Sequence, residues 1–177
     1  MEKDMSCVHE VIFNYLLEMH RKEPQFYFTP RIKNNKNRLD KGYWFIGDDT
    51  YLQVSFWKGG DDNEKLHNIG FVVKDDGSSY IELASRKSEE KIQFLKRIMD
   101  KVAGFKQVRK SNKWRKYYKN DDYLENLNNF VKEIKPIIDS MIKEFAPKGL
   151  SMLEAEPFEK HISRIITIQK KKQTKEY

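Results

Sequence analysis

Four short runs rich in β-branched and aromatic residues follow one another between Tyr43 and Ala84, and turn signals separate them. The runs are Tyr43–Ile46, Tyr51–Trp57, Asn68–Lys74 and Ser79–Ala84. Gly47-Asp48-Asp49 lies between the first two, and the longer turn Lys58–Lys65 follows the second. Asp75-Asp76-Gly77 precedes the last, with glycine supplying a positive φ. This punctuation predicts hairpins and an antiparallel meander. In the second run Leu52, Val54 and Phe56 share one side, while Tyr51, Gln53, Ser55 and Trp57 share the other. The alternation predicts one packed face and one wetter face.

Helical spacing dominates on either side. Val8, Val11, Ile12, Tyr15, Leu16 and Met19 mark an amphipathic helix over Ser6–Lys22, ended by Pro24. Ser88 caps a second helix that runs to about Ala103 and stops at Gly104. Asp122 and Glu125 open a long third helix to Phe145, in which Pro136 imposes a kink. Pro157 to Gln169 starts a last helix, expected to dissolve into a disordered basic tail from Lys170. Phe26–Arg31 reads as a short edge strand because Pro30 lacks a donor, and Ile32–Gly42 as an exposed, Asn-rich loop. The expected architecture is α+β: an antiparallel sheet of five or six strands carrying an N-terminal, a middle and a long C-terminal helix. Residues 1–150 form one domain in this reading, with 151–177 as a C-terminal helix and basic tail or linker.

With 177 residues the chain can bury a core without disulfides or a metal. Its single cysteine, Cys7, excludes an internal disulfide and a thiolate zinc site, and is expected as a small buried hydrophobe. No run is apolar enough to span a membrane, and MEKDMSCVHE has no apolar signal core, so a cytoplasmic location is expected.

From Phe105 to Tyr118 the chain concentrates positive charge, with no acid and with rings interleaved (FKQVRKSNKWRKYY). The whole chain is milder, at +7 with a pI near 9.3. Cations among flat rings suit a polyanion with stackable bases, which points to nucleic acid. One candidate cluster is Arg31, Lys33, Lys36, Arg38 and Lys41. The other is Lys106, Arg109, Lys110, Lys113, Arg115, Lys116 and Lys119. If folding gathers both onto one surface, they grip phosphates. Tyr43, Trp44, Trp57, Trp114 and Tyr117 are candidates for stacking or for a base pocket. The plainer alternative is two solvated loops and ordinary core aromatics.

Catalytic signals are lacking. Gly59-Gly60 is followed by acids, so no phosphate loop forms, and the histidines (His9, His20, His67, His161) do not pair at metal spacing. They are expected at the surface or half-buried. Asp75 or Asp76 with Glu82 is a poor match to a magnesium nuclease, since Lys87 lies off the strand. No catalytic residue, cofactor or metal is therefore assigned. The alternatives are a metal-dependent nuclease with an atypical site, or a protein-interaction domain using the kinked helix Asp122–Phe145.

The strings NRLDKGYWFIGDDTYLQVSFWKGG, HNIGFVV, SYIELASRKSEEK and YLENLNNFVKEIKPIID together resemble the N-terminal region ahead of the AAA+ motor in McrB-type restriction proteins. The resemblance runs from about Phe26 to Ile142. It implies a module that recognises DNA, often modified DNA, in a restriction or defence system. The partner it implies is a separate motor or nuclease; independently of the resemblance, no membrane partner is expected.

Overall fold

The computed structural model describes residues 3–61 and 66–175. Its centre is a six-stranded antiparallel sheet in the order β1-β2-β6-β7-β9-β8. The strands are β1 (Ile46–Gly47), β2 (Tyr51–Val54), β6 (Ile69–Lys74), β7 (Ser79–Ala84), β8 (Lys106–Gln107) and β9 (Lys113–Tyr117). Two small ribbons flank it: β3 (Trp57–Lys58) with β10 (Ser151–Met152), and β4 (Gly60–Asp61) with β5 (Leu66–His67). Residues 62–65 of the predicted Lys58–Lys65 turn lie outside the described residues.

The helices begin where capping side chains are available. Asp4 accepts from the Ser6 amide at the start of α1 (Met5–Lys22), and Ser88 from the Lys91 amide at the start of α2 (Glu89–Lys101). Asp122 accepts from the Glu125 amide before α3 (Tyr123–Asn129). The long third helix is divided, as Pro136 predicts. A π-helical turn, Phe130–Ile134, joins α3 to α4 (Lys135–Glu144). Proline lacks an N–H and its ring collides with the carbonyl four residues back, so the chain widens just ahead of it. The widening keeps Phe130, Val131, Ile134 and Ile138 on the buried side.

One face of the sheet supports these helices. Leu52, Val54, Ile69, Phe71, Val73, Ile81, Leu83 and Trp114 line it, in one core with residues of α1, α2, α3, α4 and the C-terminal helix α5 (Ala155–Lys175). Phe130 packs on Phe71 with ring centroids 5.9 Å apart, and Asn126 Nδ2 donates to Ser79 Oγ. The other face carries Ile46, Gln53, Val72, Tyr80 and Tyr117 in one cross-strand row, with Gly70, Glu82, Arg115 and Lys106 in the next. This second face is polar but not wet, because Gln53, Val72, Tyr80 and Glu82 are all buried.

Several expectations are corrected. The strand expected over Tyr43–Ile46 shortens to Ile46–Gly47, and Tyr51–Trp57 breaks after Val54 so that Trp57 can pair with Met152. Phe26–Arg31 is extended without forming a strand; it is held by bonds from Thr29 N to Ser55 O and Arg31 N to Trp44 O. Leu39, in the predicted exposed loop, is part of the core. Cys7 is exposed and His9 is fully buried, the reverse of expectation for each. The expected disordered tail is helical, since α5 runs Ala155–Lys175. Its Phe158, Ile162 and Ile165 enter the same core, while Arg164, Gln169 and Lys172 bond to Ile32 O, Asn14 and Asp40 O.

Candidate nucleic-acid interface

Strands β8 and β9 form a hairpin at one edge of the sheet. Its tip is fixed by bonds from Gln107 Nε2 to Ser111 O, from Ser111 Oγ to Val108 O and from Val108 N to Lys113 O. Arg109 adopts a left-handed backbone (φ 54°) at this turn. Lys106, Arg109, Lys110 and Lys119 are exposed and form no ion pair among the described residues.

The remaining cations of this segment have structural duties. Lys116 donates from Nζ to Ala103 O at 2.8 Å, closing the chain after α2. Arg115 donates from Nε to Glu82 at 2.9 Å and from Nη1 to the Tyr117 hydroxyl at 3.1 Å. Its guanidinium lies 4.5 Å from the Tyr80 ring centroid. Lys113 Nζ also approaches Glu82, at 3.9 Å. Burial works to lower the Arg115 pKa, but the bonds from Tyr117 and Glu82 outweigh it and the net shift is upward. Tyr80 is pushed up by burial and by the Glu82 charge.

The other cluster lies at the opposite edge of the sheet, beside β1. Arg31 Nε donates to Tyr43 O and Phe45 O, each at 3.0 Å, and Arg31 Nη2 donates to Gly47 O at 2.9 Å. Arg38 Nη1 donates to the same Gly47 oxygen. Burial, then the neighbouring Arg38, pulls the Arg31 pKa down. Lys33, Lys36 and Lys41 are exposed on the loop that follows, with Lys36 and Asn37 both at φ 56°.

The two clusters are therefore not gathered on one patch. Five strand-to-strand steps separate the edges, roughly 24 Å at the usual spacing. They do border a common surface, the polar face. On that face burial, then the Asp48 charge, pushes the Tyr51 pKa up, with Arg38 and Arg31 opposing and Glu82 adding.

The aromatic expectations fare differently by residue. Trp44, Trp57 and Trp114 are 0%, 1% and 8% exposed, so none can offer a face to a base. Trp44 Nε1 donates to Glu10 and Trp57 Nε1 to Asp139, each at 2.8 Å, which satisfies the polar end of a buried indole. Tyr43 is half-buried, donates to Asp49 and stacks on His9 at 5.0 Å; the bond to Asp49, then burial, pushes its pKa up to about 12. Tyr117 is 55% exposed and packs on Tyr80 at 4.8 Å, leaving one ring available.

Sequence reasoning missed Gln53 and Gly70. Gln53 is 2% exposed, and neither its Nε2 nor its Oε1 has a hydrogen-bond partner. A Cβ on Gly70 would lie 2.4 Å from Gln53 Nε2, so only glycine leaves room for the carboxamide. The alternation of β2 puts Gln53 opposite Leu52, but pattern alone does not distinguish a solvated Gln from a buried one.

Among the described residues no three His, Cys, Asp or Glu side chains cluster as metal ligands. Glu82 is engaged by Arg115 and Lys113, and Asp76 accepts from Ser78. No described helix is long and apolar enough to cross a membrane. No family model, no curated protein and no solved structure matches the chain.

Proposed function

We propose that this chain is a nucleic-acid-binding module, with DNA as its target and the β8–β9 hairpin as its phosphate-gripping element. One observation carries the reading: an acid-free hairpin projects three exposed cations, Lys106, Arg109 and Lys110, and Lys119 is exposed two residues past its end, all four with no ion-pair partners among the described residues. Cations held by neighbouring carboxylates cannot release counterions from DNA, whereas uncommitted ones can. Tyr117 adds an exposed ring at the same edge. The resemblance to McrB-type recognition regions supports a place in a restriction or defence system that reads modified DNA. The test is fluorescence anisotropy on labelled duplex and single strands at low salt. Replacing Lys106, Arg109, Lys110 and Lys119 together by alanine is expected to weaken binding by about tenfold or more. Thermal stability should hold, since the four side chains are solvated. Equal affinity for the variant and the parent would dismiss the hairpin.

A second reading is favoured by Phe145, 57% exposed at the end of α4. It lines a groove of about 360 Å³ with Phe94, Glu89, Glu90, Gln93 and Arg97 of α2. An exposed apolar ring in a groove suits a protein contact. Sedimentation of the chain at rising concentration, with Phe145→Ser as the control, separates self-association from a monomer.

A further inference from the structure

We infer that the chain has a second phosphate-binding surface, where helix α5 lies along the Asn-rich loop Ile32–Gly42, carried by Lys36, Lys41, Lys160 and Lys171. It takes its ligand, DNA, from the nucleic-acid reading above but rests on different residues. Folding alone creates this surface, from segments that stand 132 positions apart at their contacts. Arg164 Nη1 donates to Ile32 O at 3.1 Å, and Lys172 Nζ donates to Asp40 O at 2.9 Å. Positions 164 and 172 are about two helical turns apart, a rise of about 12 Å, so the loop runs alongside the helix. Lys160, Arg164, Ile168 and Lys171 recur at i, i+4, i+8 and i+11 and share one stripe of α5. Because Arg164 reaches the loop, that stripe borders it. Lys41 adjoins Asp40 on the loop, and Lys36 belongs to its short helical turn, Asn35–Asn37.

The loop is held in place rather than left to solvent. Leu39 is buried in the core, and Asn34 brackets it, accepting from the Leu39 amide at 2.8 Å and donating to Asp40 at 3.1 Å. Lys36, Lys41, Lys160 and Lys171 are all exposed and form no ion pair among the described residues. Carboxylates around them are engaged elsewhere: Asp40 by Asn34, Glu10 by Trp44 and Gln169, and Glu159 by His20. Glu156, one turn before Lys160, makes no ion pair with it. Cations gathered without counter-charge repel one another, and a row of phosphates relieves that repulsion. The neighbouring groups favour DNA over a bilayer. Asn35 and Asn37 flank Lys36 and are exposed, and carboxamides suit phosphate oxygens and base edges. Ile32 is the exposed large apolar side chain of the loop, and one such side chain is too little to anchor a protein in lipid.

Anisotropy of labelled duplex across a salt series tests the surface with three variants. The first replaces Lys36, Lys41, Lys160 and Lys171 by alanine. The second is the hairpin variant described above. The third replaces Lys96, Lys132, Lys143 and Lys148, exposed lysines elsewhere that carry the same charge. The first variant should bind about tenfold more weakly or worse and flatten the log–log salt slope by roughly three, with its thermal melt unchanged. The hairpin variant should keep residual binding that a variant combining both sets of substitutions loses. Unchanged affinity in the first variant overturns the assignment, and a loss confined to the hairpin variant leaves the hairpin alone. Equal losses in the first and third variants reduce the effect to net charge and overturn it as well. A loss in the first variant but not in the hairpin variant keeps this surface and dismisses the hairpin. No binding by the parent removes both. Binding to phosphatidylserine vesicles that the first variant loses, while its DNA affinity holds, gives the surface to a membrane and overturns the DNA assignment.

Discussion

Single side chains on this sheet carry opposite balances of cost and use. Gln53 presents two unpaired polar atoms to a protein interior. Methionine has nearly the same shape and needs no partner, so Gln53→Met should raise stability by about 1 kcal/mol. A urea titration reads this directly; a lower midpoint would mean that the amide is satisfied in solution. Glu82 is the converse case. It is buried and paired with Arg115 and Lys113, so Glu82→Ala leaves a half-buried guanidinium without its anion. A loss of about 1–3 kcal/mol is expected, against none if the pair is merely incidental. His9 supplies a pH dependence. Burial, helped by the nearby Arg31 charge, lowers its pKa from 6.5 to about 3. Its Nδ1 accepts from the Phe45 amide, so the folded state needs the neutral ring. The unfolded chain takes up the proton first as pH falls. The stability contribution is therefore complete above 6.5 and is lost progressively down to about 3, at up to ~1.4 kcal/mol per pH unit. His67, lowered to about 4 by burial, adds in the same direction. Urea midpoints measured across this range should fall with acid; a flat profile would contradict a buried neutral His9.

Elements show where pattern sufficed and where it did not. The Asp122 cap, the Ser88 cap, the Pro136 break and the Asp75-Asp76-Gly77 turn are each set by one or two side chains acting on adjacent backbone. Such features can be read from sequence because their causes are local. The fate of Trp57 cannot. Its strand breaks after Val54 and it pairs instead with Met152, nearly a hundred residues away. Its indole then reaches Asp139 on α4, which Lys135 also holds, at 2.9 Å. The C-terminal helix is a similar case. No apolar residue stands between Ile168 and Lys175, yet the helix persists to Lys175, with Lys172 bonded to the Asp40 carbonyl. Only distant partners decide these outcomes. The indoles illustrate the same limit at the candidate site, because a Trp beside lysine reads alike whether it packs inward or outward. Trp44, Trp57 and Trp114 all pack inward. Their emission should therefore change little on adding DNA, and acrylamide should quench it weakly. Strong quenching by bases would place an indole at the interface after all.

For the molecule as a whole, the sheet separates two kinds of surface. Helices and the aromatic core occupy one face, while the polar face lies between an arginine pair at the β1 edge and the lysine-rich β8–β9 hairpin. Net charge of +7 gives general attraction to polyanions, and in the function proposed above the hairpin gives that attraction a location. The dependence of DNA affinity on salt tests this most directly, because each phosphate gripped releases counterions. Between the parent chain and the variant lacking Lys106, Arg109, Lys110 and Lys119, the log–log slope should flatten by roughly three. An identical slope in both proteins would show that the hairpin touches no phosphate.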